Sequence, residues 1–321
     1  VNNTLLQVRD LSTKFVLKKG ILTAVSHVSF NLKKGETFGL VGESGSGKSV
    51  TALSIMRLNP SPPSQTTGEI LFEGEDLLLK SLPEMRDIRG GKISMIFQEP
   101  MTSLNPALTI EKQITETIML HQKLDKKEAR EKTIEMLNLV SIASPKERLK
   151  SYPHEFSGGM RQRVMIAMAL SCHPALLIAD EPTTALDVTI QAQFLDLLID
   201  IMNKFGLSML YITHDLFVIG QICNEVAVMY ASQIVEHTST TELFQKPLHP
   251  YTQGLMKSIP KRKEKKRFLD PIKGMVCSLL NPPPGCKFHP RCDEVREICS
   301  REEPRLTEIE PGHWVSCHLY S

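Results

Sequence analysis

Two stretches near the start of the chain, Leu5 to Phe15 and Ala24 to Leu32, alternate apolar and polar residues and predict paired strands of an antiparallel β subdomain. Four apolar runs follow at Thr37 to Val41, Ile93 to Gln98, Ala175 to Glu181 and Ser208 to His214. A run as continuous as A-L-L-I-A-D-E suits a strand buried on both faces, so the four predict a parallel sheet with helices between its strands. From about Leu108 to Leu170 the composition turns to Glu, Lys, Leu, Ile and Met, and Lys123 to Val140 is amphipathic, which predicts a helical region inserted between the second and third of these strands.

Chemistry gathers where the predicted strands end. After Val41 comes G-E-S-G-S-G-K-S (Gly42 to Ser49), leading into a helix-compatible run that begins near Val50. Gly42, Gly45 and Gly47 let the backbone turn its N–H groups inward, and the following helix aims its positive dipole end at the same anion. Lys48 adds charge toward the β and γ phosphates of a nucleotide, and Ser49 a hydroxyl for Mg²⁺. Gln98 ends its strand with an amide oxygen that could reach Mg²⁺ or an attacking water. Ser157, Gly158 and Gly159 open an apolar helix-forming stretch and predict a second anion-binding turn. Asp180 is suited to hold Mg²⁺ through water, Glu181 to orient or deprotonate a hydrolytic water, and His214 to contact a γ-phosphate. Taken singly, the glutamine, the acid pair and the histidine would each be ordinary surface or core residues.

The 321 residues are 41% hydrophobic, enough for one large core or two domains, and the net charge of +2 gives no global case for nucleic acid binding. No apolar run approaches the ~20 residues of a membrane span, and Val1 to Asp10 lacks a signal-peptide pattern, so a cytoplasmic protein is expected. Lys261 to Arg267, K-R-K-E-K-K-R, reads as a solvated linker or helix face, with a membrane-surface contact as the sharper alternative. Five of the seven cysteines, Cys277, Cys286, Cys292, Cys299 and Cys317, fall in the last 45 residues, a segment poor in core-forming side chains that is expected to need a staple. A cytoplasmic location disfavours disulfides, and the spacings match neither paired zinc knuckles nor ferredoxin runs, so residue chemistry leaves the staple open.

The ordered set Gly42 to Ser49, Gln98, Ser157-Gly158-Gly159, Asp180-Glu181, Ala185-Leu186-Asp187 and His214 resembles the nucleotide-binding subunit of an ATP-binding cassette (ABC) transporter. The segments F-Q-E-P-M-T-S-L-N-P (Phe97 to Pro106), S-Y-P-H-E-F-S-G-G-M-R-Q-R-V (Ser151 to Val164), D-E-P-T-T-A-L-D-V-T-I-Q-A-Q (Asp180 to Gln193) and H-P-Y-T-Q-G-L (His249 to Leu255) are similar to its dipeptide and oligopeptide importer branch. Phe156 and Met160 depart from the commonest signature, while the anion-contacting serine and glycines are intact.

The resemblance implies an α/β P-loop NTPase core with antiparallel β and α-helical subdomains, occupying residues 1–258 with the helical part at about 105–172, and a small cysteine-rich C-terminal domain at 259–321. It implies an ATPase that energises import of dipeptides or oligopeptides, working on the cytoplasmic face of the membrane. Phe15 falls where the family stacks adenine. Gly42, Ser44, Gly45, Ser46, Gly47, Lys48, Ser49, Val50 and Asp180 would hold Mg²⁺ and ATP, with Ser49 and Gln98 at the ion. Glu181, His214 and Gln98 would serve hydrolysis. Two such subunits bind ATP face to face, so Ser157, Gly158 and Gly159 would touch the γ-phosphate held by the other ATPase, expected to be a related chain. Two transmembrane permease subunits and, indirectly, an extracytoplasmic peptide-binding protein complete the expected partners, with no nucleic acid.

The tail, with P-P-P-G-C-K-F-H-P (Pro282 to Pro290) and P-G-H-W-V-S-C-H-L (Pro311 to Leu319), resembles that of peptide-importer ATPases. On that resemblance Cys286, Cys292, Cys299 and Cys317 are expected to hold a four-iron four-sulfur (4Fe-4S) cluster, with zinc, and then free thiols or disulfides, as the alternatives and Cys277 a spare thiol. Cys172 and Cys223 are expected in the core. The rival readings are a soluble ABC ATPase of another process, an importer for nickel or oligosaccharide, and an electron carrier built on the tail cysteines.

Overall fold

The computed structural model describes residues 3–98, 103–184, 187–258 and 272–320. Ala185 and Leu186, Glu99 to Thr102 and the basic run Lys261 to Arg267 lie outside the described residues. Along the chain, β1 (Thr4–Leu17) and β2 (Gly20–Lys33) are followed by β3 (Thr37–Val41), α1 (Lys48–Ile55), β4 (Ser64–Phe72) and β5 (Glu75–Asp76). Then come α2 (Leu82–Ile88), β6 (Ile93–Ile96), α3 (Ile110–Gln122), α4 (Lys126–Leu139), α5 (Pro145–Arg148), α6 (Gly158–Leu170), β7 (Leu176–Asp180), α7 (Val188–Phe205) and β8 (Ser208–Thr213). The last elements are α8 (Leu216–Ile222), β9 (Glu225–Tyr230), β10 (Gln233–Ser239), α9 (Thr240–Gln245), α10 (Pro250–Lys257), β11 (Thr307–Glu310) and β12 (His313–Val315).

The chain forms two compact units, one from Val1–Leu78 with Tyr211–Ser321 and the other from Leu79–Leu210. In the first, an antiparallel sheet runs β2-β1-β4-β5, with Val8 opposite both Phe30 and Ile70. The alternation in β1 and β2 places Leu6, Val8, Leu11, Val25 and Val28 in the core. β3, buried at all five positions, pairs in parallel with β9, and β10, β12 and β11 follow in antiparallel order. The C-terminal hairpin therefore extends the sheet of the phosphate-loop unit, where a separate 259–321 domain was expected.

In the second unit β6 and β7 are a parallel pair, Met95 opposite Ile178, and Ser208 N–H donates to Ala175 O at the start of β8. Ile114, Ile118, Leu137, Val164 and Ala167, all fully buried, form the core of α3, α4 and α6. The amphipathic stretch from Lys123 becomes helical at Lys126 because Asp125 caps it, accepting from Lys127 and Glu128 N–H, while Lys123 closes α3 in a left-handed conformation at φ 55°. Cys172 and Cys223, expected in the core, are each partly exposed as residues, but the Cys223 sulfur packs against Gly39 of β3, where burial raises its pKa. Among the described residues no helix is long and apolar enough to cross a membrane.

Candidate functional site

The glycine loop joins β3 to α1 in the first unit. Gly42 passes so close to β9 that a Cβ there would stand 2.1 Å from Met229 O, and at Gly47, φ 107°, a Cβ would stand 2.3 Å from Ala24 O. Gly45 is left-handed at φ 79° with open space around it, and Ser44 and Gly45 are exposed. Lys48 is buried, its ammonium donating to the carbonyls of Gly42 (2.7 Å) and Glu43 (3.0 Å). Ser46 Oγ is buried with no partner inside the protein, and α1 begins at Gly47 with no side-chain cap and no acid in its first turn. An orphaned hydroxyl, a curled lysine and an uncapped helix N-terminus fit a bound polyphosphate. Ser49 and Val50 stand half-buried in the first turn of α1.

Phe15 and His214 belong to the same unit. Phe15 is half-buried near the end of the β1–β2 hairpin, opposite Leu22, with Val16, Leu17 and Ile21 exposed beside it, so the hairpin presents an apolar surface suited to a base. His214 is exposed just after β8.

The second unit carries Gln98, Ser157, Gly158, Gly159, Asp180 and Glu181. Asp180 and Glu181 are buried at the end of β7, and Glu181 holds a left-handed backbone at φ 45° that turns the chain sharply out of the strand. Gln98 Nε2 donates to Glu181 Oε2 at 3.2 Å, and Thr184 Oγ1 reaches both Glu181 O (3.0 Å) and Oε2 (3.1 Å). The structure thus joins Gln98 to Glu181, although 83 residues separate them. Gln98 and Thr184 fix the direction of the carboxylate. Ser157 caps α6 by accepting from Met160 N–H, and a Cβ on Gly158 would meet nothing within 4 Å, which leaves that helix start open at the surface.

Sequence reasoning missed three polar residues here. Gln162, on α6, donates to Pro182 O at 2.7 Å and so ties the signature helix to the loop after Glu181; its burial at 1% exposure inside a polar R-Q-R triplet has no sequence signal beyond that triplet. Thr184 was legible as part of D-E-P-T-T. Glu43, inside the glycine loop, carries a buried arginine, Arg291, on its carboxylate.

A glycine loop between a buried parallel strand and an uncapped helix, with an acid pair at the end of another such strand, marks a P-loop nucleoside triphosphatase. Residues 25–184 match the ABC transporter family model, and residues 235–299 match the model for the oligopeptide/dipeptide transporter C-terminal region. A probable peptide ABC transporter ATP-binding protein of Sinorhizobium fredii is 52% identical over 98% of this chain and 94% of its own. The oligopeptide transport ATP-binding protein AppD of Bacillus subtilis is 51% identical over 99% and 97%. Among solved structures, a dimeric bacterial ABC transporter cassette, MJ0796, superposes with a TM-score of 0.65 at 24% identity, over 73% of this chain and 98% of its own, and shows the fold. The chain belongs to the family of ATP-binding proteins of oligopeptide and dipeptide ABC transporters, and it is an ATPase.

The expected iron–sulfur cluster is corrected by these findings. The matched models and relatives describe ATP-binding transport proteins, with no cluster among their named properties. Cys286, Cys292, Cys299 and Cys317 are therefore not assigned as cluster ligands. No three of these sulfurs lie within 4.8 Å of one another, whereas thiolates around a tetrahedral zinc stand ~3.8 Å apart, so the zinc alternative has no preformed site either. Burial pushes the Cys286 thiol up to about 11 and raises Cys292 and Cys317, which favours neutral thiols. The staple argument fails because the tail has other fastenings. β12 pairs with β10, His313 meets Glu236 in full burial at 2.8 Å, and Cys286 N–H donates to Cys299 O at 2.8 Å.

Proposed function

We propose that this ATPase energises the import of oligopeptides or dipeptides through an ABC transporter. The observation that carries the reading is likeness to peptide-transport ATP-binding proteins over 98% of the chain, tail region included. In this reading the protein sits on the cytoplasmic face of the membrane, beside two permease subunits fed by an extracytoplasmic peptide-binding protein. A second, related ATPase faces it. The tail is a small cysteine-rich appendage of the phosphate-loop unit.

The residues divide the work by chemistry. Phe15 stacks on adenine, and the N–H groups of Ser44 to Val50 with Lys48 bind the phosphates. Ser49 and Gln98 would offer oxygens to Mg²⁺ and Asp180 would hold it through water; the ion, when bound, would neutralise phosphate charge. Glu181 takes the proton of the attacking water, and His214 holds the γ-phosphate. Ser157, Gly158 and Gly159 present an open helix start to the nucleotide of the facing subunit. The solved cassette neighbour with ADP and inorganic phosphate, 25% identical, supports hydrolysis within a dimer.

The test is reconstitution with the permease pair in vesicles, measuring ATP-dependent uptake of a labelled dipeptide and a labelled tetrapeptide. Glu181→Gln is expected to keep nucleotide affinity, lose roughly 10²-fold or more in turnover and accumulate ATP-bound dimers. Near-normal turnover would remove Glu181 from its role; absence of peptide uptake with normal ATP hydrolysis would remove peptides as cargo.

A further inference from the structure

The phosphate loop contains an acid. Glu43 is the loop's second residue, and a carboxylate in an anion-binding turn works against a polyphosphate. Arg291, from the C-terminal segment, grips it with a fork, Nη1 to Oε2 at 2.7 Å and Nη2 to Oε1 at 3.1 Å. The Arg291 side chain is 4% exposed and held on every side. Its Nε donates to Lys273 O at 2.9 Å, and its guanidinium carbon lies 5.8 Å from the Tyr230 ring and 6.0 Å from the Phe288 ring. Tyr251, its ring tilted 58° to that of Tyr230 with centroids 4.7 Å apart, accepts from Glu43 N–H at 2.9 Å. Glu43 O in turn accepts from Lys48 Nζ (3.0 Å) and Ser46 N–H (3.2 Å), so the grip on Glu43 reaches the residues that face the phosphates. A second tail cation acts on the other side of the bend. Lys287 donates to Ala231 O (3.2 Å) and Ser232 Oγ (3.0 Å), and Ser232 N–H donates to Ser46 O (2.9 Å).

We propose that Arg291 is a positioning residue for nucleotide binding: it neutralises Glu43 and draws its carboxylate away from the phosphates, so that the C-terminal segment sets the affinity of the phosphate loop. A bidentate fork is needed because a lysine in its place would supply charge without fixing direction. The inference rests on the glycine loop holding ATP, which Lys48→Ala tests by itself: if that variant binds Mg·ATP normally, the loop reading fails and the role of Arg291 fails with it.

The experiment is calorimetric titration of the full chain with Mg·ATP at low and high salt. Arg291→Met is expected to weaken binding ~10-fold, more at low salt than at high, because the exposed acid now faces the nucleotide. Adding Glu43→Gln to Arg291→Met should bring binding back to within ~3-fold of the parent protein, and Arg291→Lys should fall between the parent and Arg291→Met. A role confined to fold stability would lower the melting temperature in all three variants and show no recovery in the double one. Unchanged affinity in Arg291→Met, or a double variant as weak as the single, overturns the proposal. Should Arg291→Met not fold, Arg291→Lys with and without Glu43→Gln carries the test: weaker binding in the single variant that returns to within ~3-fold of the parent in the double supports the proposal, and unchanged affinity in the single variant or no return in the double overturns it.

Discussion

Glu236→Gln isolates the attachment of the C-terminal hairpin. Glu236 lies on β10 with no exposed surface. Its Oε1 accepts from Leu248 N–H at 2.7 Å and lies 2.8 Å from His313 Nε2, and its Oε2 accepts from His249 N–H at 2.9 Å. Three groups therefore converge on two carboxylate oxygens, one from the tail and two from the entry to α10. Glutamine keeps the shape but offers one oxygen. In its better orientation the oxygen serves Leu248 and His313, and the amide nitrogen opposes His249 N–H, so two buried donors lack acceptors. At ~1–3 kcal/mol for each orphan, partly relieved by small shifts, the loss should be about 3 kcal/mol. Trp314, the single tryptophan, sits on β12 opposite His237 of β10, so its fluorescence reports this attachment directly. In urea the Trp314 transition should move to lower denaturant by an amount equivalent to about 3 kcal/mol. A shift below ~0.5 kcal/mol would refute the reasoning, because it would mean that the tail does not depend on this carboxylate.

Gly42→Ala should weaken Mg·ATP binding by ~100-fold or more, since its Cβ would stand 2.1 Å from the Met229 carbonyl of a central strand; an affinity within threefold of the parent would show that the loop does not need this close approach. Acid should destabilise the protein through His249, whose pKa burial lowers to about 3 from an ordinary value near 6.5. The unfolded chain takes the proton first, so this contribution is complete above pH ~6.5 and is lost toward pH 3, by at most about 1.4 kcal/mol per pH unit. His249→Asn keeps a side-chain acceptor for Tyr251 N–H, and urea midpoints taken between pH 6.5 and 5 should fall less steeply in it. Equal slopes would contradict the burial argument.

The strands that present chemistry were legible because their signal is local. Thr37–Val41 was read with its observed bounds, and Ala175 to Glu181 contains the observed Leu176–Asp180, since a buried parallel strand is one apolar run with a polar end. The short strands β9 to β12 were not legible. β11 and β12 are only four and three residues long, and they become strands through pairing with one another and with β10. The bond between Gln98 and Glu181 spans 83 residues, and that between Arg291 and Glu43 spans 248; neither leaves a trace in composition or periodicity. The sequence could show that Gln98 and Glu181 each end a strand, but only the parallel pairing of β6 with β7 brings those ends together.

The cysteine-rich tail shows how a sound local argument can mislead. A segment with few apolar residues cannot hold itself together, and that premise led to a staple. The premise holds for a segment that folds alone. This one borrows: its hairpin takes hydrogen bonds from β10, its His313 takes a buried carboxylate from the same strand, and its Arg291 takes Glu43 from the phosphate loop. Each borrowed contact uses a polar group, which is why apolar content was a poor guide to how firmly the tail is held. The loan runs in both directions. A lone acid in a phosphate-binding turn has no evident purpose in the sequence, and it acquires one when the tail supplies the arginine that neutralises it. Tail attachment and nucleotide affinity should therefore be coupled through Glu43, although 248 residues separate it from Arg291.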